Sequence, residues 1–529
     1  GCKLAGTAAE LQNSFALATL IHPGLLLMRQ ISVMIFREQS TSDSAKAERW
    51  NTRFLRIAEI EAEIAPFFET AGTKEKDSLE DDALAQLSFQ HELLKPLNHV
   101  PFMIAAIAIF KVWLVPAMTI LVPLLAWILP YILLKFVYAL PITQEQYGDI
   151  LKSMWAGNMS VLPPSFGAEA AAPTESLMTP KSIFQFMIFG FSFVQSMIQP
   201  IQNAMHLYKT DDVFYGVGKK LIELRDLARA FRDELGDLPV KLAISLEELD
   251  ASDPRQGFIL VKDQPERLRI LLKDLTRMEI LWRIATKPAL QPVRFMPDRL
   301  DLSGAFDISI AAETVVSSDL SLAAKGQSHA VITGPNGGGK SSFLRATLQS
   351  VLIGHTYGMA PAASAIMPRF AWIASGLQLR DTPGVYSMFE TEVKFAADCI
   401  ASVQEGPGLV LFDELFHSTN PLDAARSATV FLKQLWRPGA NVFSVVSTHL
   451  FPLVERKPEN VIAICCPATK GPDGRISYGF RAEPGICRVS SVHTVWERFG
   501  LASAVTAAVA ARPTNPAQTL SDKENSDAD

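Results

Sequence analysis

Two kinds of hydrophobic pattern divide the chain. Beyond about residue 300, short apolar runs alternate with segments of helical spacing. Ser328 to Thr333 (SHAVIT), Gly408 to Phe412 (GLVLF) and Asn441 to Ser447 (NVFSVVS) have the length and continuity of buried strands. Ser342 to Gly354 carries Phe343, Leu344, Leu348, Val351 and Leu352 at helical spacing. Strands interleaved with helices predict an α/β domain over 299–511. The front of the chain reads differently. Residues 1–100 are helical in pattern, with a break near His22-Pro23, a polar loop from Gln39 to Ala47 and a charged helix from Glu48 to Glu69. A second charged helical stretch runs from Lys209 to Thr286. It is placed in a region spanning 207–298, and reads equally as a lever or as a plain helical bundle.

Between these helical stretches lies a region, 101–206, of another kind. Val112 to Leu134 contains 23 residues without a charge, bounded by Lys111 and Lys135. About 20 apolar residues suffice to cross the hydrocarbon core of a bilayer. Trp113, Trp127 and Tyr131 lie toward its ends, where interfacial aromatics sit. Pro116, Pro123 and Pro130 recur every seven residues and are expected to bend the helix. Ser182 to Met205 also lacks charge but holds four Gln, and reads equally as a second span or as an amphipathic lever. Front helices and α/β domain sharing one compartment require an even number of spans, so the preferred arrangement is one span near 112–134 and another near 182–204. The intervening 141–180 has only Lys152 against Glu145, Asp149, Glu169 and Glu175, as expected of a non-cytoplasmic segment. Ala156 to Lys181, with Pro163-Pro164, is expected to be a flexible loop, and the polar tail 512–529 to be disordered.

The chemistry concentrates in the α/β region. Ile332 to Ser342 (ITGPNGGGKSS) fits G-x-x-x-x-G-K-[ST], with Gly334, Gly339, Lys340 and Ser341 in the required places. In such a loop, Gly334, Pro335, Asn336, Gly337, Gly338 and Gly339 wrap the phosphates, and the glycines let successive backbone N–H groups turn inward. Lys340 reaches the β- and γ-phosphates, Ser341 ligates Mg²⁺, and Ser342 continues into the helix. A strand, a glycine loop and a helix in this order place phosphate on a helix N-terminus. The strand 408–412 ends in Asp413 and Glu414. Asp413 suits the Mg²⁺ shell and Glu414 suits polarising the attacking water. The third strand delivers Thr448 and His449, and His449 is a candidate γ-phosphate sensor. ATP and Mg²⁺ are the cofactors these residues imply.

The motifs ITGPNGGGKSS, LVLFDELFHSTNPLD and VVSTHL, in this order, resemble the ATPase domain of the MutS family, whose pattern is TGPNxxGKS, DExxxGTS and THY or THF. The resemblance extends over residues 300–510. It takes in Ser318-Asp319-Leu320 before the P-loop strand and Ser490-Ser-Val-His-Thr-Val-Trp near the end. It implies a P-loop NTPase fold of the MutS and ABC-like kind. It also implies a homodimer through the ATPase domain, in which Ser387 of the segment Ser387-Met-Phe389-Glu-Thr-Glu392 reaches the partner's nucleotide. The chain departs from the family where GRGTS is replaced by Phe416-His417-Ser418-Thr419-Asn420. It departs again where an adenine-stacking aromatic is replaced by Val315 or Val316. The string Phe67-Phe68-Glu69 matches the wedge of mismatch sensors in three residues only.

Charge and cysteine content refine the picture. The 529 residues carry a net charge of −6 with no extended Lys/Arg block, so no global footprint for DNA is present. The five cysteines have no metal-ligand spacing, and reduced thiols are expected. The chain opens on Gly1 rather than Met, so a preceding piece is expected, and no secretory signal is read from this end. The leading expectation is an integral membrane protein contacting lipid, with a MutS-like ATPase on the cytoplasmic side that switches conformation on ATP binding and hydrolysis, in DNA mismatch repair or recombination. The alternatives are a soluble-side repair factor binding mismatched or branched DNA, and an ABC-like transporter ATPase. The transporter reading lacks an LSGGQ-type signature before Asp413.

Overall fold

The structure is a computed structural model that describes residues 7–68, 87–89, 91–100, 102–137, 142–155, 180–235, 253–381, 384–471 and 475–500, together with Leu4, Ala139 and Ala251. The expected flexible loop from Ala156 lies outside the described residues up to 179, as does the expected tail 512–529.

The front half is helical. The helices are α1 (Thr7–Ala16), α2 (Pro23–Ser42), α3 (Ser44–Phe68), α4 (Met103–Ile109), α5 (Val115–Ile132), α6 (Gln144–Trp155), α7 (Pro180–Leu235), α8 (Pro254–Asp263) and α9 (Pro265–Ala285). The break at His22-Pro23 is a helix start. The His22 ring accepts the Gly24 N–H, and Pro23 occupies the first turn, where a missing N–H costs nothing. The polar loop expected over Gln39 to Ala47 is a single residue, Asp43, between α2 and α3, and its carboxylate accepts the Lys46 N–H. Polar composition there reflects helix ends rather than a loop.

Heptad spacing builds the helical core. In α7, Phe214, Val217, Leu221, Leu224, Ala228, Phe231 and Leu235 are buried at alternating steps of three and four, and in α9 so are Leu268, Leu271, Leu275, Met278, Trp282 and Ala285. This is the stripe by which helices pack nearly parallel. Trp50 of α3 sits at the centre, its ring 4.8 Å from Trp282 and 4.9 Å from Phe231. Phe67 packs edge-on against Phe258, so the candidate wedge phenylalanine belongs to the fold; Glu69 lies outside the described residues.

Residues 103–137 form one unbroken helical run, in which π-helical turns at Phe110–Leu114 and Leu133–Val137 flank α5. Ile104, Ala108 and Val112 are buried in the helical core, whereas Trp113, Leu114, Leu121, Leu125 and Ile128 are exposed. The helix therefore roots in the body and projects from it. The segment 182–204 is the leading part of the 56-residue α7, which continues through Pro200 to Leu235. Leu207 of α7 is buried in the body, and the Trp113 ring meets Tyr208 at 6.3 Å. Val115, Pro116 and Thr119 face Pro200, Asn203 and Ala204 across a groove. Because α5 leaves the body where α7 enters it, the two form an antiparallel hairpin. Among the described residues one stretch, Met103–Leu121, is long and apolar enough to cross a membrane.

The rest is α/β, as the strand pattern predicts. A first sheet, ordered β3-β2-β6-β1-β5, is built from β1 (Gln291–Phe295), β2 (Arg299–Ala305), β3 (Ser318–Ala323), β5 (Met359–Ala360) and β6 (Ser364–Met367). The second, ordered β13-β10-β4-β9-β8-β7, has β4 (His329–Thr333) and β9 (Val442–Ser447) at its centre, beside β8 (Gly408–Phe412), β7 (Trp372–Gly376) and β10 (Val461–Cys465). These five run parallel, and β13 (Glu483–Pro484) closes the edge antiparallel. Every residue of β4, β8 and β9 is buried, as a sheet covered on both faces requires. The covering helices are α10 (Lys340–Tyr357), α11 (Met388–Ser402) and α12 (Pro421–Leu435).

The two halves share a core. Ile353 and Tyr357 of α10 and Met359 of β5 pack among the front helices. From α2, Gln30 donates to Val293 O and Gly358 O, and Arg29 donates to Thr356 O. Arg37 donates to Ala285 O, Lys287 O and Leu290 O.

Candidate nucleotide site

The parallel order β4-β9-β8 brings three strand ends to one edge, which is where α/β sheets bind ligands. The loop 334–339 leaves β4 and feeds α10. Gly334 is required by space: at φ +144° a Cβ would lie 2.8 Å from Cys466 O at the end of the neighbouring strand. The Gly338 N–H donates to Pro335 O and tightens the loop. Lys340 is 4% exposed, and its ammonium donates to Gly334 O, Pro335 O and Asn336 Oδ1 at 2.9 to 3.2 Å. Burial pushes the Lys340 pKa down, opposed by the carboxylates of Glu414 and Asp413. A buried cation held on neutral acceptors inside a glycine-rich loop fits a polyphosphate.

The carboxylates arrive from β8. Asp413 accepts the Ser341 hydroxyl at one oxygen and the Ser447 hydroxyl at the other. Ser447, at the end of β9, also accepts the Glu414 N–H at 2.7 Å. Ser341 and Asp413 together form an all-oxygen donor pair suited to a hard cation such as Mg²⁺. Nε2 of His449 lies 3.0 Å from Asn336 Oδ1 and 3.5 Å from Glu414 Oε1. The structure thus gathers Lys340, Ser341, Asp413, Glu414 and His449 from three strand ends.

Glu414 and Phe416 both hold a left-handed backbone, at φ +52°. At Phe416 the family pattern has glycine, for which that conformation is free. Here the strain, about 1 to 3 kcal/mol, is borne by a phenylalanine whose ring is buried among Phe412, Phe389 and Phe431. The loop is further tied to α11. Buried Glu392 accepts the Ser418 hydroxyl, and its other oxygen lies 2.9 Å from His417 Nδ1. Ser387 caps the same helix reciprocally with Glu390 on the exposed surface. It does not line the cleft in this subunit.

The cleft over the loop has a volume of about 540 Å³, and Ile310, Thr314, Val316 and Phe480 line it beside the loop. Ligand pockets of about 300 to 1,000 Å³ hold molecules of nucleotide size. Val316, one of the two valines standing where the family has an adenine-stacking aromatic, lines the cleft. Phe480 is an aromatic the sequence did not signal, because it comes from the turn after β12 (Ile476–Tyr478) rather than from the segment before the P-loop. Ser447 was also missed, although its position directly before Thr448-His449 could have marked it.

Residues 330–515 match the family model for MutS domain V. The curated proteins it resembles include the DNA mismatch repair protein MSH1, mitochondrial, of Arabidopsis thaliana, 30% identical over 185 residues, or 34% of this chain and 16% of that protein. The DNA mismatch repair protein MutS of Thermotoga sp. (strain RQ2) is 27% identical over 237 residues, 43% of this chain and 29% of that one. MutS of Thermus aquaticus is 30% identical over 197 residues, 36% and 23% of the two chains. The matched portion thus spans less than a third of each relative's length.

Proposed function

Through residues 330–515 this chain belongs to the MutS family, and we propose that it is a membrane-anchored ATPase whose nucleotide cycle moves the front helices. The convergence of Lys340, Ser341, Asp413 and Glu414 at one sheet edge carries the reading. Lys340 exchanges its loop carbonyls for the β- and γ-phosphate oxygens. Ser341 and Asp413 hold Mg²⁺, which neutralises phosphate charge. Glu414 accepts the proton of the water whose oxygen bonds the γ-phosphorus as the bridging bond to ADP breaks. His449, fixed by Asn336, stands beside Glu414 at the γ-phosphate end. Two copies close over the nucleotide, each offering Ser387 to the other's site, and hydrolysis releases them.

The hairpin of α5 and α7 supports the membrane part. Lys111 and Lys135 bracket it, 24 residues and so about 36 Å apart at 1.5 Å per residue, between the core and full thickness of a bilayer, about 30 and 40–45 Å. A second reading, DNA repair, is favoured by the names of the relatives. It is opposed by a similarity confined to the ATPase end and by the net charge of −6.

ATP turnover by the detergent-solubilised full chain separates these. The Lys340→Ala chain is expected to lose nucleotide binding. Glu414→Gln is expected to bind ATP but to lose about 100-fold or more in turnover, the scale of a missing general base. Normal hydrolysis by Glu414→Gln would refute the assigned role. Turnover unchanged by homoduplex, mismatched or branched DNA is expected of the membrane reading. Several-fold stimulation by one of these DNAs would install the repair reading instead.

A further inference from the structure

The segment 306–317 joins β2 to β3 without regular structure and supplies Ile310, Thr314 and Val316 to the cleft. None of residues 308–317 is buried. Such a connection has no apolar anchor of its own, and ordering it costs conformational entropy. Its one buried residue is a carboxylate, Asp307, 2% exposed. Oδ1 of Asp307 accepts the Ser309 N–H at 3.0 Å, the Ser309 hydroxyl, and Gln349 Nε2 at 2.8 Å. Oδ2 accepts Arg345 Nε at 2.7 Å. Gln349 returns a bond, its Oε1 accepting the Ile308 N–H at 2.9 Å, and Arg345 also donates to the Ser342 hydroxyl in the P-loop helix. Burial alone would raise the Asp307 pKa, but the bonds from Ser309, Gln349 and Arg345 prevail and hold it at about 2. The carboxylate is therefore charged at any physiological pH.

Arg345 and Gln349 are four residues apart on α10, about one and two turns beyond Ser341. The clamp thus fixes the wall of the cleft relative to the phosphate loop. We propose that Asp307 is the positioning residue for the base end of the site: it holds segment 306–317 where a nucleobase contacts it, and so sets the preference for a nucleotide over bare polyphosphate. This rests on the reading of the cleft as a nucleotide site.

The test compares equilibrium binding of Mg-ATP and Mg-tripolyphosphate to the full chain in detergent. Tripolyphosphate engages the P-loop without a base. Asp307→Asn is expected to weaken ATP about ten-fold while leaving tripolyphosphate within about two-fold, because only base contacts depend on the segment's order. A merely structural role would weaken both equally, and equal weakening, or none, overturns the proposal. If Asp307→Asn fails to fold, Gln349→Ala removes one bond to Asp307 and the acceptor of the Ile308 N–H. It is expected to weaken ATP about three-fold and tripolyphosphate not at all, and an unchanged ratio overturns the proposal equally. A wild-type chain that binds neither ligand removes the nucleotide reading itself, a failure distinct from a lost preference.

Discussion

At the scale of single residues, the site depends on groups whose charge state the fold has already chosen. Lys340 is kept buried on neutral carbonyls, and Asp307 is kept ionised by its donors. Two histidines are kept neutral instead. His329 is buried against Ser444, and His355 spans Val351 O and the Phe370 N–H, which fixes a neutral ring with its proton on Nδ1. Burial lowers both pKa values to about 4. The unfolded chain therefore takes up protons below about pH 6.5 that the folded chain refuses until about pH 4. Stability is full above pH 6.5 and falls as pH drops toward 4, by about 1.4 kcal/mol per pH unit for each histidine. Urea midpoints measured between pH 7.5 and 4.5 should show this decline, and His355→Gln should flatten it; an unchanged slope would mean that His355 protonates in place.

At the scale of elements, the P-loop helix connects the two halves. Its first turn carries Lys340 and Ser341, and its last turn, at Tyr357, is packed into the helical core beside α2. Gly358 ends it at φ +71°, and a Cβ there would stand 2.7 Å from Cβ of Gln30. Gly439 has a similar φ, +83°, but open space around it. Gly439→Ala should cost only the left-handed backbone penalty, about 1 to 2 kcal/mol. Gly358→Ala should cost that and about 1 to 3 kcal/mol more for overpacking against α2. Equal losses in urea unfolding would show that the junction yields, and that α10 does not press on the front helices. The α/β elements were legible because phosphate chemistry constrains a contiguous run of residues and buried strands are uniformly apolar. The hairpin was half legible. Charge-free length marked it, but 182–205 and 209–286 read as separate stretches, whereas α7 runs through both from Pro180 to Leu235. Pro200 removes one hydrogen bond and the helix continues, because its flanks pack on α5 on one side and on the body on the other. Phe480 and Asp307 were not legible, since each acts on residues far away in sequence, and only the folded chain joins them.

At the scale of the molecule, the connections make one path. The proposed nucleotide contacts, Lys340 and Ser341, start α10; the end of α10 meets α2; Arg37 of α2 grips the end of α9; and α9 packs with α3 and α7 around Trp50. The 56 residues of α7, about 84 Å long at 1.5 Å per residue, then carry any displacement out along the hairpin. Under the proposed function, a loop closing on ATP would have a mechanical outlet at the apolar end of the molecule. The measurement that tests this account most directly is flotation of the purified full chain with phospholipid vesicles on a density gradient, with phosphate release from ATP assayed in the floated fraction. The account predicts that the wild-type chain floats and hydrolyses ATP there, and that Lys340→Ala floats equally without hydrolysis. A chain that stays at the bottom of the gradient, or equal phosphate release by the Lys340→Ala chain, would contradict it.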